Sequence, residues 1–197
     1  KAQVVANSRE AAVRYKAALE EALKAQVTAL KAHNPTHINT HQLAQVECAV
    51  VISSGHNDPP HLKAFANADY HKRSIKRFKL PFDKTDDDDQ TLNGNVGLVV
   101  VNNMLLTGFD APIEQVLYLD RVIIAHNLLQ TIARVNRVGP AGKDKGFVVD
   151  FVGVGHHLKR ALDDYTDKEQ HEILGCLSND AAELAALIQA HADIWSF

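Results

Sequence analysis

Short apolar runs alternate with longer amphipathic segments along this chain. Two runs, Val46–Ile52 and Val96–Val101, are apolar almost throughout, which is typical of strands covered on both faces. Three shorter runs, Val4–Ala6, Val116–Leu119 and Phe147–Phe151, predict further strands. The pattern therefore predicts five strands.

The segments between these runs predict helices and loops. A helix is predicted from Arg9 to Lys31, because apolar residues recur there at a spacing of four, and Ser8 is placed to cap its first turn. A second helix carries Ile75 and Phe78 inward, and a third spans Asn127–Asn136. Three polar segments are predicted to be loops: His33–His41, Ser53–Pro60 and Pro81–Asn95, the last of them acidic and exposed.

Strands that alternate with helices predict βαβ units and a parallel sheet, which defines an α/β fold. After Gly155 the pattern becomes helical only, with helices predicted at Leu158–Tyr165 and Ala181–His191. We therefore predict an α/β domain over residues 1–155 and a helical extension over residues 156–197.

Composition limits the classes of function. A net charge of −3 and a pI of about 6.4 argue against a chain that wraps nucleic acid by bulk electrostatics, so any DNA contact would come from a few placed groups. No apolar stretch approaches the ~20 residues of a membrane helix, and two cysteines are too few for a disulfide framework. We expect a cytoplasmic protein, and the start at Lys1 suggests a piece of a longer one.

The first stretch with candidate chemistry is Asn103–Pro112, directly after the third strand. Ligands of open α/β sheets bind at the carboxyl ends of strands, where Thr107 and Gly108 would lie. A hydroxyl beside a glycine N–H suits a phosphate oxygen, since no side chain blocks the approach. Asp110 could accept from a ribose hydroxyl or orient an arginine, and a simple turn with a capping Asp is the alternative.

The second stretch is the predicted helix after the fourth strand. Gln130, Arg134 and Arg137 are four and three residues apart, so they share one helical face. Two guanidiniums on one face suit a transferring phosphoryl group, and surface ion pairs are the alternative.

In this order, the two stretches resemble motifs V and VI of superfamily 2 helicases and translocases, with Ala133 where motif VI usually has glycine. Val4–Ala12 is similar to motif IV, a strand that ends in a Ser/Arg loop before a helix. Longer blocks resemble the restriction (R) subunit of type I restriction-modification enzymes, most closely from about residue 70 to 165: His71–Phe78, Met104–Pro112, Leu117–Asp120, His126–Arg137 and Lys145–Gly153.

The resemblance implies a RecA-like parallel sheet that is the second lobe of an ATP-dependent double-stranded DNA translocase. It implies that DNA phosphates are held by Ser8, Arg9, Thr107 and Gly108. It implies that ATP is faced by Asp110, Gln130, Arg134 and Arg137. Arg137 is the first candidate for an arginine finger and Arg134 the second.

The resemblance also implies partners, and it implies which functions belong to other domains and subunits. ATP and Mg²⁺ would be bound mainly by the first lobe, which precedes this region together with the nuclease domain. Methyltransferase and specificity subunits would complete the enzyme, a type I site-specific deoxyribonuclease. No phosphate loop and no nuclease cluster of carboxylates occurs here, so the fragment alone is predicted to be inactive.

Other classes of function stay open at this point. They are the second lobe of another superfamily 2 helicase, a Rossmann-like nucleotide-binding domain, and a non-catalytic interaction domain. The Rossmann-like alternative predicts a glycine-rich first turn, which Asn7-Ser8-Arg9 does not supply.

Several residues are expected to have no functional role. We predict no metal site at His33, His37 and His41, because Pro35 interrupts a helix and no further ligand is placed near them. The run Asp86–Asp89 is predicted to be a solvated charge cluster.

Overall fold

The computed structural model describes residues 1–33, 37–123, 125–135, 143 and 145–154. Its strands are β1 (Ala2–Val5), β2 (Glu47–Val51), β3 (Val96–Val101), β4 (Val116–Leu119) and β5 (Phe147–Asp150). They form one sheet in the order β2-β3-β1-β4-β5, and every neighbouring pair is parallel. The predicted α/β class with a parallel sheet and flanking helices, as in RecA-like folds, is confirmed.

The described helices are α1 (Arg9–His33), α2 (Thr40–Ala44), α3 (Pro60–Lys63), α4 (Ala68–Lys79) and α5 (Ala125–Val135). Helix α1 begins where the sequence predicts, because the Ser8 Oγ accepts a hydrogen bond of 3.0 Å from the Ala11 N–H. Asn67 caps α4 in the same way, accepting from two N–H groups of its first turn.

The helices cover both faces of the sheet. Helices α1 and α3 pack on one face, and α4 and α5 pack on the other. The chain steps from β1 to β2 in one direction and from β4 to β5 in the opposite direction. Since parallel crossovers are right-handed, α1 and α5 must lie on opposite faces, as they do.

Each face has its own hydrophobic core. On the α4 and α5 face, Phe78 is fully buried, and burial of a side chain of this size stabilises a fold by about 1.5–3 kcal/mol. The same core holds the loop after β3 through Leu106 and Phe109, and it holds α5 through Leu128 and Ile132. The core therefore fixes that loop and α5 relative to each other.

Some predictions of local structure are wrong in detail. Strand β1 begins at Ala2, because Gln3 belongs to the sheet although it is polar. The segment predicted as the loop His33–His41 contains the end of α1 and the start of α2. In the acidic segment, Asp86 is buried rather than solvated, because it pairs with Lys76 at 2.7 Å and accepts two backbone N–H bonds.

The predicted helices Leu158–Tyr165 and Ala181–His191, and the boundary near residue 156, lie outside the described residues. In the described part of the chain, no helix is both long enough and apolar enough to cross a membrane.

Candidate functional site

The loops at the carboxyl edge of the sheet are joined directly to one another. The Ala6 N–H donates to the Val101 carbonyl at 2.8 Å, and the Asn102 Nδ2 donates back to the Ala6 carbonyl at 2.9 Å. On the other side of β1, the Asp120 N–H donates to the Val5 carbonyl at 2.9 Å. The polar residues that follow β1, β3 and β4 therefore lie along one edge.

The loop after β3 exposes its backbone at the two residues that are predicted to contact phosphate. Thr107 and Gly108 are both exposed, and Gly108 has a φ of 71°. A Cβ at Gly108 would meet nothing within 4 Å, so the space above this backbone is open. Leu105 also has a positive φ, 63°, and such strain in a non-glycine residue is concentrated at functional sites.

The buried half of the same loop anchors its exposed half. Phe109 lies in the core with its ring centroid 6.2 Å from that of Phe78, and the Lys79 Nζ lies 5.3 Å from the Phe109 centroid. Asp110, the next residue, is exposed.

Helix α5 carries part of the predicted arginine face and packs beside this loop. The Thr131 Oγ is 2.6 Å from the Asn127 carbonyl and 3.3 Å from the Leu106 carbonyl, one residue before the exposed loop residues. Gln130 is exposed, and Arg134 follows it by one helical turn on the same helix. The Arg134 side chain and all of Arg137 lie outside the described part of the structure.

Ser8 and Arg9 lie at the carboxyl end of β1, with Ser8 exposed and Arg9 half-buried. The Arg9 Nη1 donates to the Asp58 Oδ2 at 2.7 Å and to the Ser53 carbonyl at 2.9 Å. Asp58 also accepts the Gly55 N–H at 2.5 Å. The Arg9 guanidinium, then the Gly55 N–H, hold the pKa of Asp58 below its usual range, and the hydrogen bond to Asp58 raises the pKa of Arg9.

The pairing of Asp58 with Arg9 is not among the predictions from sequence. The segment around Asp58 contains Pro59 and Pro60, which predict a turn and nothing more. The sequence feature that could have indicated this role is that Asp58 is a carboxylate in the loop after a buried strand, at the carboxyl edge of the sheet. A second contact that was missed joins Arg121 to Asn103 across the same edge.

The Lys143 and His33 side chains lie within hydrogen-bond distance of backbone carbonyls. The Lys143 amine donates to the Pro112 carbonyl at 3.0 Å. Among the described residues, no group of three or more His, Cys, Asp or Glu side chains could hold a metal ion. His33, at the end of α1, places its Nδ1 2.8 Å from the Ala29 carbonyl.

Two known proteins match long stretches of the chain. A type I restriction enzyme HindI endonuclease subunit of Haemophilus influenzae is 35% identical over 121 residues, 60% of this chain and 10% of the relative. A putative type I restriction enzyme MjaVIIP endonuclease subunit of Methanocaldococcus jannaschii is 34% identical over 177 residues, 88% of this chain and 15% of the relative. The chain thus spans only a small part of the length of these relatives.

The family described as type I restriction enzyme subunit R domain 3 matches residues 1–153. This range contains the whole described sheet, the loop after β3 and helix α5 with Gln130. The chain belongs to the type I restriction enzyme subunit R domain 3 family.

Proposed function

We propose that this chain is the second RecA-like motor lobe of a type I restriction enzyme R subunit, which drives ATP-dependent translocation of double-stranded DNA. The observation that carries the proposal is the packing of α5 beside the loop after β3, in one core at the sheet's carboxyl edge. A predicted ATP-facing helix and a predicted DNA-facing loop are thereby in direct contact. Family membership supports an R subunit over a Rossmann-like enzyme of small molecules.

On the DNA side, Ser8, Arg9, Thr107 and Gly108 would hold backbone phosphates. Ser8 and Thr107 are exposed, and the open space above Gly108 admits a phosphate oxygen close to the backbone. Such contacts position DNA without reading its sequence, which suits a motor that must pass over every sequence. Contacts this local are compatible with a chain whose net charge is −3.

On the ATP side, Asp110, Gln130, Arg134 and Arg137 would face a nucleotide bound mainly by the first lobe. The amide of Gln130 and the two guanidiniums can donate to phosphate oxygens. Mg²⁺ would be held mainly by the first lobe, as the resemblance to R subunits implies. Arg137 is the first candidate to stabilise charge on the transferring phosphoryl group, and Arg134 is the second.

The packing of α5 suggests how the two sides are connected. When the two lobes close, the arginine face would gain contacts that the open state lacks, and α5 would shift relative to the sheet. Because Thr131 on α5 lies against the Leu106 carbonyl, a shift of α5 would move the adjacent Thr107 and Gly108. The DNA contacts would then depend on the state of the nucleotide.

The remaining parts of the proposal follow from the R-subunit family. The partners would be double-stranded DNA, the first lobe and nuclease domain of the same polypeptide, and the methyltransferase and specificity subunits, in the cytoplasm. The full-length protein would be the ATP-dependent endonuclease subunit. Residues 1–197 alone would hydrolyse neither ATP nor DNA.

The proposal is tested by DNA-stimulated ATP hydrolysis of the full-length R subunit that carries this sequence. Arg137→Ala should lower turnover by about 10³–10⁵-fold, as loss of an arginine finger does, with DNA binding retained. Arg14→Ala is the matched control, because Arg14 is an exposed arginine whose ion pair is with Glu10 on its own helix. Equal turnover of the Arg137 variant and the wild type would contradict the proposal.

A further inference from the structure

A buried carboxylate lies beneath one of the proposed DNA contacts. Asp58 is in the loop after β2, whereas Arg9 follows β1, and β3 lies between these two strands. The Asp58 side chain is 4% exposed, and the Arg9 side chain above it is 30% exposed. A phosphate could therefore reach the arginine but not the carboxylate.

The hydrogen bonds occupy one end of the guanidinium. Its bonds to the Asp58 carboxylate and to the Ser53 carbonyl are both made by Nη1. Asp58 is itself fixed by the Gly55 N–H. Within the described part of the chain nothing accepts from Nη2 or Nε, so these donors can serve a second acceptor, and a guanidinium presents them in a fixed fork.

Gly55 provides the room for this arrangement. A Cβ at residue 55 would lie 2.7 Å from the Asp58 Oδ1 and 2.8 Å from the Arg9 Nη2. The backbone of Gly55 has no positive φ, so an alanine is compatible with its conformation. An alanine here would displace both the Asp58 carboxylate and the Arg9 guanidinium, and so disturb their pairing while leaving both residues chemically intact.

We propose that Asp58, with Gly55, is a positioning residue that holds the Arg9 guanidinium ready for a DNA phosphate. The inference rests on the proposed function, which makes Arg9 a phosphate contact. An arginine that is already ordered loses less rotamer freedom on binding than a free one, so the phosphate contact is stronger. Because Arg9 shields Asp58, the negative charge of the carboxylate repels DNA little.

The test is equilibrium binding of the full-length R subunit to double-stranded DNA over a series of salt concentrations. Arg9→Ala should weaken binding about tenfold, the loss expected for one charged hydrogen bond, and reduce the slope of log K against log salt by about 0.9. Asp58→Ala and Gly55→Ala should each reproduce most of both changes. In an Arg9→Ala background, neither should have a further effect on the slope.

Asp87→Ala is the matched control, because Asp87 is an exposed carboxylate in the acidic segment and its removal changes the net charge equally. It should leave the slope unchanged. A role of Asp58 limited to stability would lower the temperature of unfolding but would not change the slope for the folded protein. Gly55→Ala provides a second test should Asp58→Ala fail to fold.

The outcomes separate this inference from the proposed function. If Arg9→Ala reduces the slope but Asp58→Ala and Gly55→Ala both keep the wild-type slope, the phosphate contact stands and the positioning role is wrong. If Arg9→Ala itself keeps the wild-type slope, Arg9 does not contact DNA, and both claims about this arginine fail.

Discussion

The hydroxyl of Tyr15, on α1, donates a hydrogen bond to the carboxylate of Asp120, at the carboxyl end of β4. Helix α1 packs mainly against β2 and β3, whereas β4 lies on the other side of β1. The bond therefore joins a helix to a strand beyond its own part of the sheet. It fixes the start of the segment that leads from β4 into α5.

Tyr15→Phe should lower the free energy of unfolding by about 1.5–3 kcal/mol, because it removes a hydrogen bond to a charged group. Chemical denaturation of the 197-residue chain measures this change. Tyr118→Phe is the matched control, since the Tyr118 hydroxyl has no hydrogen-bond partner among the described residues and its ring stacks on Phe151. Equal effects of the two variants would contradict the assigned role of Asp120.

The same bond has a defined pH dependence. The hydrogen bond to Asp120, and then burial, raise the pKa of Tyr15 above its ordinary value of about 10. The group's contribution to stability is therefore complete below the unfolded pKa and is lost as the pH rises through the higher folded pKa. As the pH rises from 7 through the pKa of Tyr15 in the folded protein, the free energy of unfolding of the wild type should fall more than that of Tyr15→Phe.

Two glycines with similar backbones give a matched test of the proposed DNA loop. Gly108 and Gly153 have φ angles of 71° and 78°, both are exposed, and a Cβ at either would meet nothing within 4 Å. An alanine at either position should cost about 1–2 kcal/mol of stability, through backbone strain alone. Gly108→Ala alone should also weaken binding of double-stranded DNA, because its methyl group lies where the phosphate would approach.

Filter binding or anisotropy with the full-length R subunit would measure the DNA affinity of the two glycine variants under conditions where both are folded. An equal loss of affinity in both variants would mean that strain, not contact with DNA, explains the effect.

Cys48 should be chemically inert in the folded protein. It lies on β2 with 5% of its surface exposed, and burial raises the pKa of its thiol to about 12. Since the thiolate is the reactive form, iodoacetamide at pH 8 should label Cys48 only after unfolding. Peptide mass spectrometry separates its labelling from that of Cys176. Rapid labelling of Cys48 in the native state would contradict the buried position of β2.

The sequence predicted the strands and long helices because their apolar patterns are regular. Val96–Val101 and Val116–Leu119 match the observed strands at both ends, and the Ser8 cap is confirmed. Helices α2 and α3 were missed, because segments of five and four residues are too short to show a period. Strand order was not predicted either, since apolar runs indicate burial but not neighbours.

The candidate site was predictable only where motif and local geometry coincide. The exposure of Thr107 and Gly108 was predictable, because they come shortly after the end of a buried strand and one of them is a glycine. The pairing of Arg9 with Asp58 was not predictable, because it joins residues 49 positions apart across an intervening strand. Such a contact forms only after the strands have paired in their final order.

Displacement of a third strand from a DNA triplex tests the central claim most directly, because only a translocating motor strips it without cutting the duplex. The full-length R subunit with its partner subunits should displace the strand in an ATP-dependent manner, and Arg14→Ala should do so at the same rate. Arg137→Ala should bind the DNA and leave the triplex intact. Displacement by Arg137→Ala at the wild-type rate, or none by the wild type, would contradict the assignment of this chain as a motor lobe.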